Sequence, residues 1–223
     1  MSDFESDIEL RTDHYFKLTK SVVNKHGDVD VTYAIFMRRP VIYCSKLAIE
    51  WINLVINYRG GSIDIKECFE EGAWVGAGEV LMYLSGRLTH LADLETIFLQ
   101  KLGGPCVAAY NAFGMTSDLA NVAFIAMDAR HCAGAEMQEL MAYGASVGSR
   151  KAQKEQGAIG FVGSANDLTA HFFGKEKTRE IPLDKVEKYI ENATKPFCII
   201  FSSDYPHGPY PSDTPYHLSL IHI

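Results

Sequence analysis

The sequence contains no C-x-x-C pair. Its five cysteines (Cys44, Cys68, Cys106, Cys132 and Cys198) are scattered and odd in number. That argues against a disulfide framework or a zinc ribbon and fits reduced thiols in a cytoplasm, most of them small buried hydrophobes. An excess of positive charge is also missing. With 21 Lys and Arg against 28 Asp and Glu, the net charge is −7, so no basic face is expected for general nucleic-acid binding. No apolar run approaches the roughly 20 residues of a membrane helix, and no membrane partner is expected. The start, MSDFESDIEL, is acidic where a secretory signal is basic. What remains is 223 residues at 47% hydrophobic, enough for one large domain or two small ones with a sizeable core.

Periodicity organises the first half. In LRTDHYFKLTKSVV, Tyr15, Leu18, Val22 and Val23 share a helical face, with Thr12 or Asp13 placed to cap it. VDVTYAIFMRR alternates Val31, Tyr33, Ile35 and Met37 with Thr32, Ala34 and Phe36, the period of a strand. SKLAIEWINLVINY predicts a helix with Leu47, Trp51, Leu54, Val55 and Tyr58 inward, ended by RGG. EGAWVGAGEVLMYLSGRL has four glycines among β-prone residues, which predicts short strands and tight turns. Leu91, Leu94, Phe98 and Leu102 mark a helix expected to stop at Gly103-Gly104-Pro105, with another from Val107 to Leu119.

From Asn121 the pattern changes. VAFIAM and GAIGFVG are continuous apolar runs followed by helical periods, the first through Met137, Leu140, Met141 and Val147. Buried strands alternating with helices imply a parallel sheet or barrel. A domain boundary is expected at residue 115, between an α+β part (1–115) and a β/α part (116–217). KPFCIIFSS reads as a third strand, after a charged helix from Leu183 to Asn192.

Ligands in parallel α/β folds sit beyond the carboxyl ends of strands. The stretch FIAMDARHCAG (124–134) places Asp128, Arg130, His131 and Cys132 there after one strand, and Gly163, Ser164 and Asn166 follow the next. Either this is a binding site for an anionic substrate, or these are capping loops of mixed polarity.

RTDHY, EGAWVGAGEVLMYLSGRLTHLADLETIFLQKL, DARH and GAIGFVGSANDLTA, in this order and spacing through about residue 174, resemble nicotinate phosphoribosyltransferase, of the type II phosphoribosyltransferases. The resemblance implies an α/β fold: an N-terminal α/β sandwich followed by the start of an irregular α/β barrel, with an active site shared across a homodimer. It implies phosphoribosyl transfer from phosphoribosyl pyrophosphate to nicotinate, giving nicotinate mononucleotide for NAD salvage. Mg²⁺ would accompany the reaction, and ATP would be a co-substrate acting through a phosphorylated histidine.

The resemblance also distributes roles. Arg130 matches the arginine after the first barrel strand, where bidentate hydrogen bonds would hold a phosphate or the nicotinate carboxylate. The bland alternative is a surface salt bridge. His131 either contacts ligand or packs its loop. Cys132 fits inert packing, since this reaction needs no thiol. Tyr15 matches a tyrosine that reaches the neighbouring subunit's pyridine ring, or else it anchors its helix; Asp13 caps that helix or orients Tyr15.

Gly163, Ser164 and Asn166 would lie near the phosphoribosyl group, where small residues admit backbone N–H groups to an anion. Ser164 is also a candidate helix cap. Val162 stands where family members often carry an acid. Arg150 and Lys151 read as a solvated helix face. In DTPYH, His217 matches the phosphoacceptor histidine, with Asp213 in place of the family's glycine; His207 is the alternative.

The last six residues, Leu218 to Ile223, spell LSLIHI, which a transposon-end adapter encodes in one frame. A non-native tail (218–223) is therefore expected, with the natural frame interrupted near His217. The competing functional readings are an inactive fragment or oligomerisation module of the same fold, and a quinolinate or nicotinamide phosphoribosyltransferase. A hydrolase using Asp128, His131 and Cys132 with a metal lacks a second ligand pair at regular spacing. A biotinyl or lipoyl carrier lacks the lysine at a hairpin tip.

Overall fold

A computed structural model of the chain describes residues 3–127 and 131–174. Helices α1 (Asp3–Arg11) and α2 (His14–His26) lead into strand β1 (Asp30–Phe36) and the short β2 (Val41–Ile42). Helix α3 (Lys46–Tyr58) is followed by β3 (Ile63–Glu67), β4 (Trp74–Val75) and β5 (Val80–Arg87). Helices α4 (Leu88–Leu91) and α5 (Glu95–Asp118) then precede β6 (Ala123–Ala126), α6 (Ala135–Gln156), β7 (Gly160–Ser164) and α7 (Asp167–Ala170). The mixed α/β class expected from the sequence is the one observed. The described residues belong to one compact unit.

β5 is the middle of an antiparallel sheet ordered β1-β5-β3, and β2 pairs with β4 beside it. The alternation in β1 turns Ile35 inward and leaves Thr32, Ala34 and Phe36 outward. The core fills the space between this sheet, α3 and α5, with Ile52, Leu81, Leu84, Phe98 and Leu102 among its buried side chains.

Two predicted helical faces are rotated. In α3 the buried residues are Ala48, Ile52, Val55 and Ile56, while Leu54 and Tyr58 are exposed. In α2 only Val23 of the predicted stripe is buried; Tyr15, Leu18 and Val22 face out. A helical period identifies an apolar stripe but not what covers it. Neither proposed cap bonds α2 through its side chain. Asp13 occupies the N-cap position without a side-chain cap bond and pairs instead with Thr96, whose hydroxyl lies 3.1 Å from its Oδ2. The buried Thr12 hydroxyl faces the carbonyls of Ile8 and Asp93, each at 2.7 Å, tying α1 to the start of α5.

The largest correction concerns Gly103-Gly104-Pro105. No helix stops there: α5 runs 24 residues straight through, with Pro105 inside it. A proline in a helix interior sacrifices a hydrogen bond and costs about 3 kcal/mol. Packing offsets that cost. Gly144 and Gly148, one turn apart on α6, lie directly against α5, so that a Cβ at Gly144 would stand 2.9 Å from Pro105 Cα. Residue 115 falls in the last turn of α5, which carries the chain from the antiparallel part into β6-α6-β7.

An ion-pair cluster fastens the N-terminal helices. Arg59 bonds Glu5 and Asp93 through four contacts of 2.9 Å, and Lys20 Nζ reaches Asp93 at 2.6 Å. Burial alone would raise the Asp93 carboxyl, but hydrogen bonds from Arg59 and Lys20 hold it below the usual carboxylate range.

Candidate functional site

β6 and β7 are parallel, with Ala123 opposite Gly160 and Ala126 opposite Ser164. Their carboxyl ends therefore lie side by side, as the two apolar runs predicted. The pairing continues past the strands, since the N–H of Ala165 donates to the Ala126 carbonyl at 2.8 Å. The turn after β7 is thus stitched to the end of β6, two residues before 128–130. Asp128 and Arg130 lie outside the described residues. His131 opens the next turn and is exposed, Cys132 is half-buried, and both have interactions within the chain.

β7 is held on α6 by side chains that act on its backbone. Ser149 Oγ accepts the Phe161 N–H at 2.8 Å, and Gln153 Nε2 donates to the Ile159 carbonyl at 2.7 Å. Gly160 has φ +65°, a conformation open to glycine at little cost, and its missing side chain leaves room for Ser149 and Gln153. The solvated-face reading of Arg150 and Lys151 is half right. Arg150 donates to the Phe172 carbonyl at 3.0 Å, and Lys151 pairs with Glu155 at 2.7 Å. The Lys151 side chain is only 16% exposed, lying over the Phe113 ring.

Within the turn, roles divide. Gly163 and Ser164 are buried in β7. The Ser164 hydroxyl is 0% exposed and stands 2.6 Å from Thr169 Oγ1, while the Asn166 N–H donates to it at 3.3 Å. Ser164 therefore holds the turn from inside, against a partner, Thr169, that sequence reading did not single out. The helix start assigned to Ser164 belongs to Asn166, which occupies the N-cap of α7 without a side-chain cap bond. Asn166 Nδ2 is buried and has no hydrogen-bond partner. A buried amide donor without an acceptor costs on the order of 1–3 kcal/mol, and an anionic oxygen at the mouth of β7 would remove that cost.

A second polar cluster joins α6 to the N-terminal part. Tyr143 donates its hydroxyl proton to Glu71 and accepts the Lys46 N–H at 3.1 Å. Burial, followed by Glu71, pushes this phenol far above its ordinary range. Nearby, Glu67 accepts from Tyr43 at 2.8 Å and from Ser45 at 2.7 Å. The buried Cys44 and Cys106 also meet here, the Cys44 N–H donating to Cys106 Sγ at 3.3 Å. Burial drives the Cys106 thiol up to about 12 and the Cys44 thiol well above normal, so both are inert at neutral pH, as expected. Cys68 is exposed.

Tyr15 projects from α2, 59% exposed, with its ring 4.1 Å from that of Phe16. His207 and His217 lie outside the described residues, as do the predicted strand KPFCIIFSS, the helix before it and the closing LSLIHI. Among the described residues no group of three or more His, Cys, Asp or Glu is placed to hold a metal ion, and no helix is long and apolar enough to cross a membrane.

The fold is that of two solved structures. A nicotinate-nucleotide pyrophosphorylase from Pyrococcus furiosus matches with a TM-score of 0.62 at 18% identity, over 86% of this chain and 49% of that one. Human nicotinic acid phosphoribosyltransferase matches with a TM-score of 0.59 at 16% identity, over 79% of this chain and 40% of that one. The chain thus spans about half the length of the first and less of the second. No protein-family model matches. A stretch of 30 residues is 57% identical to an ulvan-active sulfatase of Formosa agariphila, covering 14% of this chain and 6% of that protein.

Proposed function

We propose that this chain is part of a phosphoribosyltransferase of NAD biosynthesis, transferring the phosphoribosyl group of phosphoribosyl pyrophosphate to nicotinate. The observation that carries the reading is the pair of parallel strands whose carboxyl ends meet at a turn with an unspent amide donor, Asn166 Nδ2. Residues 128–131, Asp-Ala-Arg-His, follow the neighbouring strand. The activities named for the two matched structures support the reaction class.

Each residue then has a task. The nicotinate nitrogen attacks the anomeric carbon as pyrophosphate departs, so negative charge on the leaving group is what must be stabilised. Arg130 supplies a fixed cation and a bidentate donor to a phosphate or to the nicotinate carboxylate. Asn166 and the turn backbone give neutral donors to the ribose phosphate, Gly163 leaves room for it, and Ser164 with Thr169 keeps the turn rigid. His131 borders the same mouth. Mg²⁺ would enter as a companion of the substrate phosphates, the usual mode for an ion that retains much of its water, and would supply charge neutralisation for the pyrophosphate. ATP coupling through phosphorylation of His217, and a homodimer in which Tyr15 stacks on the partner's pyridine, complete the proposal. A second reading exchanges nicotinate for quinolinate.

The test is turnover by the full-length protein with phosphoribosyl pyrophosphate, Mg²⁺ and either base, with and without ATP. Mononucleotide formation from nicotinate is expected, and Arg130→Ala should lower kcat/KM at least roughly tenfold. Turnover of quinolinate alone would select the second reading. No turnover of either base, or an Arg130→Ala variant with unchanged kinetics, would overturn the assignment of this site.

A further inference from the structure

β1 lies at the end of its sheet, and among the described residues no strand pairs with its outer edge. The carbonyls of Val29 and Met37 accept the N–H groups of Leu88 and Gly78, which flank β5. Backbone groups alternate in direction along a strand, so Thr32, Ala34 and Phe36 turn theirs to the open edge. Natural edge strands are blunted by charge, proline or a bulge. Between Asp30 and Arg38 β1 carries no charge and no proline, and the irregularity opposite Ile35 and Phe36 comes from the extra residue Leu81 in β5. Beside the edge runs a groove of about 550 Å³ between β1 and α5, floored by Ile52, Leu84, Leu91, Leu94 and Phe98. Phe36 stands 53% exposed beside it.

We infer that this edge is an interface in which β1 pairs antiparallel with β1 of a second copy, about a two-fold axis at Ala34. Self-complementarity of the stretch DVTYAIFMR identifies the occupant. With Ala34 opposite Ala34, Asp30 faces Arg38 of the second copy, Thr32 faces Phe36, Val31 faces Met37 and Tyr33 faces Ile35. Charge meets opposite charge at both ends, and apolar residues meet on the inner face. Asp30 has room for this, because its carboxylate is 79% exposed and its contact with Arg87 is 3.5 Å long. Shifting the register by one residue mismatches the two faces, and shifting by two sets Asp30 against Phe36 or Pro40. The open-edge residues are those that would exchange paired backbone bonds, and the added strand covers the groove along β1. This interface is separate from the site-sharing dimer proposed above, and either can fail without the other.

Cross-linking tests it on the full chain. In a Cys68→Ser background, Ala34→Cys is treated with a short bismaleimide, with Lys25→Cys on α2 as the remote control. Residues opposite each other in such a pair have Cα atoms about 5.5 Å apart, so a covalent dimer is expected from position 34 well above the control. Arg38→Glu should weaken self-association about tenfold, because two symmetry-related pairs change from attraction to repulsion. Adding Asp30→Lys to Arg38→Glu should restore it. Cross-linking at position 34 no greater than at position 25, or a yield unmoved by Arg38→Glu, would overturn the interface.

Discussion

The contact between α5 and α6 can be tested by a single methyl group. A Cβ at Gly148 would stand 2.8 Å from the carbonyl carbon of Ala109 and 3.0 Å from its Cα. Those atoms belong to helix backbone, so relief requires the two helices to separate. Overpacking of this kind costs up to about 3 kcal/mol, against a gain of about 1 kcal/mol from replacing glycine by alanine in a helix. The net loss for Gly148→Ala is about 2 kcal/mol, or roughly 4–8 °C in Tm for a chain of this size. Gly114 is the control: it lies in α5, and a Cβ there meets nothing within 4 Å. Gly114→Ala should therefore raise stability by about 0.5–1 kcal/mol. Thermal melts of both variants, followed by circular dichroism, read the difference. A Gly148→Ala melt at or above the parent's would mean that these helices do not touch, and the attachment of β6 and β7 to the core would have to be reconsidered.

Two further outcomes follow from charge. Arg59→Met should destabilise the chain by about 3 kcal/mol, because Asp93, 12% exposed, and Glu5, 26% exposed, would lose their common cation. Arg59 first among its influences holds the Glu5 carboxyl low, and Asp93 is also depressed. Stability from both is present above the unfolded carboxylate pKa and disappears as pH falls through the folded values. The variant should thus show a flatter acid limb in melts across pH, and a limb parallel to the parent's would refute the linkage. Asp28, bonded first by the Thr89 hydroxyl and then by the Thr89 N–H and Arg87, is lowered from 3.8 to about 2. Its contribution is complete above pH 3.8 and is lost on descent towards pH 2. Asp28→Asn should melt lower at neutral pH and lose that part of the acid dependence; identical curves would show that the bonds do not form in solution.

Strands read well from the sequence where a local period was enough. The alternation of β1 and the apolar runs at β6 and β7 gave both type and approximate position, and with them the adjacency of the two strand ends. β3 was missed, because its Ile63-Asp64-Ile65-Lys66-Glu67 is short, half polar and leans on β5 for its pairing. The break predicted at Gly103-Gly104-Pro105 failed for a tertiary reason: Gly144 and Gly148, some forty positions downstream, let α6 press against the backbone there. Their spacing of four in YGASVGS was a visible signal of close helix packing. At the candidate site, the position of Asn166 just beyond β7 was legible from the apolar run before it. The burial of Ser164 against Thr169 was not, since which hydroxyl faces inward depends on how α7 folds back over β7.

The continuity of α5 has a mechanical consequence. A rod of 24 residues, packed on the antiparallel part at one end and on α6 along its length, joins the two halves of the architecture without an intervening loop. In the proposed enzyme, admitting a substrate at the mouth of β6 and β7 would then fall to the turns beyond those strands.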